Sequence, residues 1–192
     1  AYYQYAQIPD KIAAQRGLDF TKLPDSEAKL EMYLLGRELL PAAGYVFIGL
    51  DHFAKPHERL AAGLREGTLQ RNFQGMTTGG GLDLIGLGAS SIGQLTEIGF
   101  LQNRREVDDY IEVVQRGGTP VYRGKDFSHD DLVRQAVIAG IYCQAEIRPA
   151  EIEAQTGIGF SDYFARELTI LDELAKDGLL ESLFDGGYRL TE

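Results

Sequence analysis

Apolar and polar positions along this chain change period several times, and each change marks an element. Tyr3, Tyr5 and Gln7 alternate with Gln4, Ala6 and Ile8, a period of two that predicts a strand closed by Pro9. Residues 11–25 carry no sustained period and read as loop or a short helix. Pro24-Asp25-Ser26 then opens a helix in which Leu30, Tyr33, Leu34 and Leu39 recur at helical spacing. Pro41 should end or kink it, with Gly44 closing it. The next run, Tyr45 to Leu50, is apolar throughout, as expected of a strand buried on both faces of a parallel sheet.

Pro56 predicts a second helix through Leu60, Ala61 and Leu64, stopped by Gly67. Residues 68–81 read as a polar loop, and Leu82 to Leu87 as a third strand running into GASSIG. Val107, Tyr110, Ile111 and Val114 mark another amphipathic helix ended by Gly117-Gly118. Strands alternating with helices predict an α/β fold with a parallel sheet and right-handed crossovers.

The pattern changes after about Gly124. Ser128 with Asp131 forms a capping-box start for a helix carrying Leu132, Ala136, Val137, Gly140 and Ile141. Pro149 begins a short helix ending at Gly157. Ser161 begins a third, with Phe164, Leu168, Leu171 and Leu174 on one face and Gly178 as its stop. Two short runs flank Asp185-Gly186-Gly187, a hairpin turn. Three helices and a hairpin predict a winged-helix-like domain over 126–192, after an α/β domain over 1–125.

Composition narrows the functions. The 192 residues are 44% hydrophobic and 25% charged, as in ordinary globular proteins, and no apolar run is long enough to span a bilayer. A cytoplasmic protein is expected. The net charge of −10 argues against nucleic acid, which needs clustered Lys and Arg. The helix over 162–177, where a winged helix would read DNA, bears Asp162, Glu167, Asp172, Glu173 and Asp177 against only Arg166 and Lys176. One cysteine, Cys143, allows neither an internal disulfide nor a thiolate metal or iron–sulfur site, and on its helix it reads as core. His52, His57 and His129 have no ligand spacing, so no metal site is expected within this chain.

Candidate chemistry gathers between Gly49 and Gly93. Ligands of parallel α/β folds sit beyond the carboxyl ends of the strands, where Asp51 and His52 fall. Two readings are open for them: acid–base work or substrate hydrogen bonding, and a turn cap beside a structural histidine. Arg71 to Gly75 offers a guanidinium, two amides and an aromatic ring, a set able to hold a carboxylate, a ribose and a flat ring. It would equally serve as a solvated loop with Phe73 tucked inward. Gly86, Gly88 and Gly93 permit close backbone approach to a ligand, but GLGASS matches neither the dinucleotide fingerprint nor a phosphate loop.

At GLDHFAKP, REGTLQRNFQGMTT and DLIGLGASSIG the chain resembles the oxygen-independent coproporphyrinogen III oxidases, radical S-adenosylmethionine enzymes of haem biosynthesis. The likeness runs from YAQIP and AAQRG through FSHDDLVRQAVI to FSDYFARELTILDELAKDGLL, essentially the whole chain. It implies an incomplete α/β barrel followed by a small, mostly helical domain. It implies an activity in which a [4Fe–4S] cluster cleaves S-adenosylmethionine and the resulting radical takes hydrogen from a propionate. Two propionates of coproporphyrinogen III thereby become vinyls, giving protoporphyrinogen IX.

Carried over by position, Ala6 and Ile92 match S-adenosylmethionine contacts. Phe73 and Gln74 match positions lining the second S-adenosylmethionine or substrate site. Arg71 and Asn72 belong to the same block, with Arg71 suited by its charge to a substrate carboxylate. The family's CxxxCxxC motif is absent, so the chain resembles the C-terminal part of the enzyme and is expected to be inactive by itself. Met76 stands where the family commonly has an aromatic, and Gly79 to Gly81 replace a more polar loop. A related branch carries haem as a chaperone, with an HNxxYW-type block where this chain has RNFQG. A barrel fragment opening in the YYQYAQI strand would leave an edge unpaired, so self-association is expected.

Overall fold

The structure, a computed structural model, describes residues 1–3 and 5–191, so Gln4 of the expected first strand lies outside the described residues. The chain divides into two compact units, Ala1–Arg65 and Glu66–Glu192. Each has its own elements.

In the first unit, the described residues before Pro9 form no strand. The period of two finds no row of partners there, and Tyr2 makes a single ladder-like bond, its N–H donating to Asp51 O at 2.8 Å. Two 3-10 turns, Ala13–Gly17 and Phe20–Lys22, fill the region read as loop or short helix. Helix α1 spans Ser26–Ala42, and Asp25 caps it by accepting from the Ala28 N–H. Pro41 stands one residue before its end, so the helix stops where the proline was expected to stop it. Gly44 closes it at φ +80°: its N–H donates to Pro41 O at 2.9 Å and the Tyr45 N–H to Leu40 O at 3.0 Å, a Schellman pair.

Strands β1 (Val46–Gly49) and β2 (His52–Ala54) follow, and α2 (Arg59–Glu66) begins three residues after the Pro56 expected to open it. β1 pairs antiparallel with β2 in a tight hairpin, which corrects the parallel, doubly buried strand expected from the apolar run. Only two residues, Leu50 and Asp51, separate the paired Gly49 and His52. That is room for a hairpin turn and far too short for a parallel crossover. Within the run, Ile48 is buried while Leu50 is exposed.

In the second unit, the loop expected over 68–81 is a hairpin of β3 (Gln70–Asn72) and β4 (Gly75–Thr77). The strand expected over 82–87 is absent. Leu84 alone bridges to Gln94, while Leu82, Ile85 and Leu87 are exposed. The strand lies later, in β5 (Ile92–Leu95), paired antiparallel with β6 (Gly99–Asn103). Helix α3 (Val107–Gln115) matches its expected stretch, and β7 (Val121–Asp126) completes an antiparallel β5-β6-β7 sheet. All strand pairs among the described residues are antiparallel, so the parallel sheet expected from strand–helix alternation is not formed by these pairings. A short connection explains the β5–β6 pair, which three residues join, whereas β6 and β7 are antiparallel although α3 lies between them.

The rest of this unit is helical, as expected. Ser128 and Asp131 form the capping box of α4 (His129–Gln144), whose C-cap Ala145 is left-handed. β8 (Glu146–Ile147) then precedes α5 (Pro149–Thr156). The helix expected from Ser161 is two: α6 (Phe160–Tyr163) and α7 (Ala165–Lys176), broken at Phe164. The final hairpin, β9 (Leu180–Ser182) and β10 (Tyr188–Leu190), takes β8 as a third strand in the order β8-β10-β9. Val133, Ile147, Ile152, Phe160, Phe164 and Tyr188 form its core. Phe160 retains 2% of its surface, and removing its ring should cost about 3–5 kcal/mol.

Charge networks fasten this core at the surface. The Ser128 hydroxyl and N–H, with Lys125, hold the Asp131 carboxyl well below its usual range. Arg134 and Tyr163 do the same for Asp130, and Arg189 and Arg148 for Glu146. A carboxylate lowered in the folded state stabilises above its unfolded pKa, and that contribution is lost as pH falls through the folded value. Urea unfolding from pH 6 to pH 2 should therefore show a falling midpoint below about pH 4. Asp131→Asn should flatten that fall; an unchanged slope would count against the network.

Candidate functional site

In the first unit, the β1–β2 turn presents Asp51 and His52 side by side. Leu50 takes φ +54° at its apex, and the Tyr33 hydroxyl donates to Leu50 O at 2.9 Å. His52 Nδ1 lies 2.7 Å from Asp51 Oδ1, with the side chains 14% and 27% exposed. The carboxylate engages one ring nitrogen and leaves Nε2 as the other polar edge, while the Tyr3 ring stands edge-on to the imidazole at 6.4 Å. Asp51 sits in the turn and orients its neighbour.

Ala6 is exposed, but its backbone is held. Gln15 Nε2 donates to Ala6 O at 2.9 Å and Gln15 Oε1 accepts from the Ile8 N–H at 2.8 Å. Gln15, 7% exposed, was not legible as a structural residue, since a glutamine in a polar stretch carries no pattern. Nearby chain encloses a cavity of about 180 Å³ bordered by Tyr2, Tyr3, Tyr5, Leu23, Lys29 and Met32.

In the second unit, the hairpin places Arg71, Asn72, Phe73 and Gln74 together. Asn72 faces Gly75 across a two-residue turn of Phe73 and Gln74, with Gly75 at φ +122°. Asn72 Oδ1 accepts from the Gln74 N–H at 2.8 Å and so belongs to the turn's own bonding. Arg71 faces Met76, its guanidinium 3.8 Å from the sulfur and 5.5 Å from the Tyr142 ring centre. Phe73 is 55% exposed and packs edge-on against Phe100 at 4.8 Å. It is not tucked into the core.

Ile92 joins the same surface through sheet register. Ile92 opposes Gln102 and Gln94 opposes Phe100, and opposed residues of antiparallel strands project to one face. Ile92 therefore shares a face with Phe100, the ring on which Phe73 rests. An aromatic ring and a branched aliphatic on one face, with Gln74 beside Phe73 on the turn, suit a ligand with a flat heterocycle and polar rim.

Of the three glycines expected to permit close approach, Gly86 and Gly93 pack against neighbouring backbone, while Gly88, at φ +98°, faces open space. A Cβ on Gly93 would stand 2.8 Å from Leu84 O, and one on Gly86 3.0 Å from the Ile92 carbonyl carbon. Asn103, 6% exposed, organises the turn between them. Its Nδ2 lies 3.0 Å from Gly86 O, 3.1 Å from Gly88 O and 3.0 Å from Ser91 Oγ. The Tyr110 hydroxyl accepts from the Gly88 N–H at 3.1 Å. Asn103 is not legible in the sequence because its partners, two backbone carbonyls and the Ser91 hydroxyl, lie 12–17 residues away.

Cys143 is buried, and burial pushes its thiol up. Among the described residues no group of His, Cys, Asp or Glu side chains is arranged to hold a metal ion, so the residues present do not fit an iron–sulfur cluster. None of the described helices is long and apolar enough to cross a membrane.

No family model matches the chain. Individual proteins do. An oxygen-independent coproporphyrinogen III oxidase of Salmonella typhimurium is 41% identical over 189 residues, covering 98% of this chain and 41% of that protein. A protein of the same name from Synechocystis is 40% identical over 190 residues, covering 97% of this chain and 41% of its own length. The solved structure of coproporphyrinogen III oxidase (HemN) from Escherichia coli, described as a radical SAM enzyme, matches with TM-score 0.90 at 40% identity. The match covers 97% of this chain and 43% of that one. In sequence and backbone the chain is thus similar to one class of proteins, the coproporphyrinogen III oxidases. Those it matches by sequence are the oxygen-independent enzymes, and it spans about two fifths of their length.

The turn before Ile92 should be intolerant of change. Asn103→Ala leaves the Gly86 and Gly88 carbonyls without their donor and should cost about 1–3 kcal/mol in urea unfolding. A variant as stable as the parent would show that water replaces the amide.

Proposed function

We propose that this chain supplies cofactor- and substrate-binding walls of an oxygen-independent coproporphyrinogen III oxidase. The enzyme would convert two propionates of coproporphyrinogen III to vinyls in haem biosynthesis. The observation that carries the reading is the backbone match to the Escherichia coli enzyme across 97% of this chain at 40% identity. S-adenosylmethionine and a [4Fe–4S] cluster held elsewhere would supply the one-electron chemistry. The chain's one cysteine, and the absence of a metal-holding cluster among its described residues, make it inactive alone. The reading treats residues 1–125 as part of an incomplete α/β barrel and 126–192 as a winged-helix-like domain, in a cytoplasmic protein with no nucleic-acid partner.

The residues take roles fitted to their chemistry. Phe73 offers an exposed ring face for stacking, Gln74 an amide for a base or ribose edge, and Ile92 an apolar wall, while Ala6 contributes a held backbone position. Arg71 provides positive charge for a propionate and Asn72 keeps the turn that aims Phe73 and Gln74. The Asp51–His52 pair offers an oriented imidazole to substrate. An exposed flat aromatic on a rigid two-residue turn supports this reading over a solvated loop.

Anaerobic turnover of coproporphyrinogen III by the full-length protein tests it. Gln74→Ala and Phe73→Ala should each lower turnover about 100-fold, the scale of a misplaced reactant. Absence of turnover together with tight stoichiometric haem binding would sink the oxidase reading in favour of a haem chaperone. The isolated 192-residue chain should sediment above its 21.2 kDa monomer mass, with unpaired strand edges exchanging between copies. A strictly monomeric profile at high concentration would refute that self-association.

A further inference from the structure

The site face of the β5-β6-β7 sheet holds a residue that neither the sequence pattern nor the family likeness singled out. Ile92 opposes Gln102, and Gln102 opposes Arg123 on β7; the next row is Gln94, Phe100 and Lys125. By the same register rule, Arg123 projects from the face that carries Ile92 and the Phe100–Phe73 stack.

Its guanidinium is held at one edge only. Gln102 Oε1 accepts from Arg123 Nε at 2.7 Å and also from Nη2, while Gln102 Nε2 donates to Ser90 O at 3.0 Å. Gln102 is thus fixed from behind and fixes the arginine in turn. That spends the Nε side of the fork and leaves the Nη1–Nη2 edge with donors to spare. The Tyr122 ring lies 5.4 Å from the guanidinium carbon.

The surroundings lack the expected partner. Arg116, Arg134, Arg148 and Arg189 in this unit each hold a carboxylate, and Lys125 in the neighbouring row holds Asp131, whereas Arg71, Arg104, Arg105 and Arg166 are in no ion pair among the described residues. Among the described residues no ion pair includes Arg123. What sets Arg123 apart from the other unpaired arginines is its aim: a side-chain amide fixes its guanidinium on the face that carries Ile92 and Phe100.

We infer that Arg123 is a carboxylate-binding residue of the site, aimed by Gln102, for a ligand whose apolar part lies over Ile92 and Phe73. The inference rests on the reading of those two residues as pocket walls. Two carboxylates have the required chemistry: a propionate of the tetrapyrrole and the amino-acid end of S-adenosylmethionine. Either would dock end-on at the Nη1–Nη2 edge through paired charge-assisted bonds.

Equilibrium binding without turnover tests it in the full-length protein. S-adenosylmethionine is measured by dialysis with no reductant present, and coproporphyrin III and its tetramethyl ester by fluorescence titration. Arg123→Gln should weaken one acid ligand by about 10- to 100-fold. Arg123→Lys should recover part of it, and the ester should bind alike to parent and variants. Loss confined to coproporphyrin assigns the propionate; loss confined to S-adenosylmethionine assigns its amino-acid end. If both ligands stay within about twofold in a variant that melts like the parent, Arg123 is a surface residue and the inference fails while the proposed function stands. If the parent protein binds neither ligand, the functional reading falls and takes this inference with it.

Discussion

Phe100 takes an aromatic edge contact on two sides. Phe73 meets it at 4.8 Å from the β3–β4 turn, and Phe127 at 4.8 Å from the residue just before the α4 cap. Each such pair contributes about 0.5–1.5 kcal/mol beyond its buried area. The geometry matters more than the sum. A hairpin of two three-residue strands has little stability of its own, so its turn needs an external support to keep one orientation. Phe100, locked in the middle strand of a sheet, provides it. The positions of Phe73 and Gln74 relative to Ile92 follow from that one ring.

Much of the helical framework was legible because its signals are local. Asp25, Ser128, Pro149, Gly157 and Gly178 act within one turn of their own positions, and helix ends fall at or near each of them. The final hairpin was equally readable from Asp185-Gly186-Gly187. Strand partners were not. The Tyr45–Leu50 run looks the same whether its neighbour is parallel or antiparallel, and the two-residue turn after it decides the matter. Leu82 to Leu87 has strand composition but only one bridge, so its apolar side chains stay exposed.

The site divided along the same line. Sequence picked out Arg71 to Gln74 by chemical density, and the structure gathers those four residues on one turn. Glycines 86 and 93 carried a true message of close approach but not its object, which is neighbouring backbone rather than a ligand. Gln15, Asn103 and Arg123 were invisible. Their significance lies in partners 7–21 residues away: an amide and a carbonyl for Gln15, two carbonyls and a hydroxyl for Asn103, and a cross-strand glutamine for Arg123. Non-local polar contacts leave no period to detect.

The capping box of α4 also has a mechanical meaning. Lys125, the penultimate residue of β7, reaches Asp131 in the first turn of α4 at 3.0 Å, and Asp131 bonds Ser128 between them. Sheet and helix are therefore clamped across a junction of two residues with no slack segment to absorb rotation. The carboxylate that caps the helix also ties down the end of the strand, so one side chain, Asp131, serves both elements.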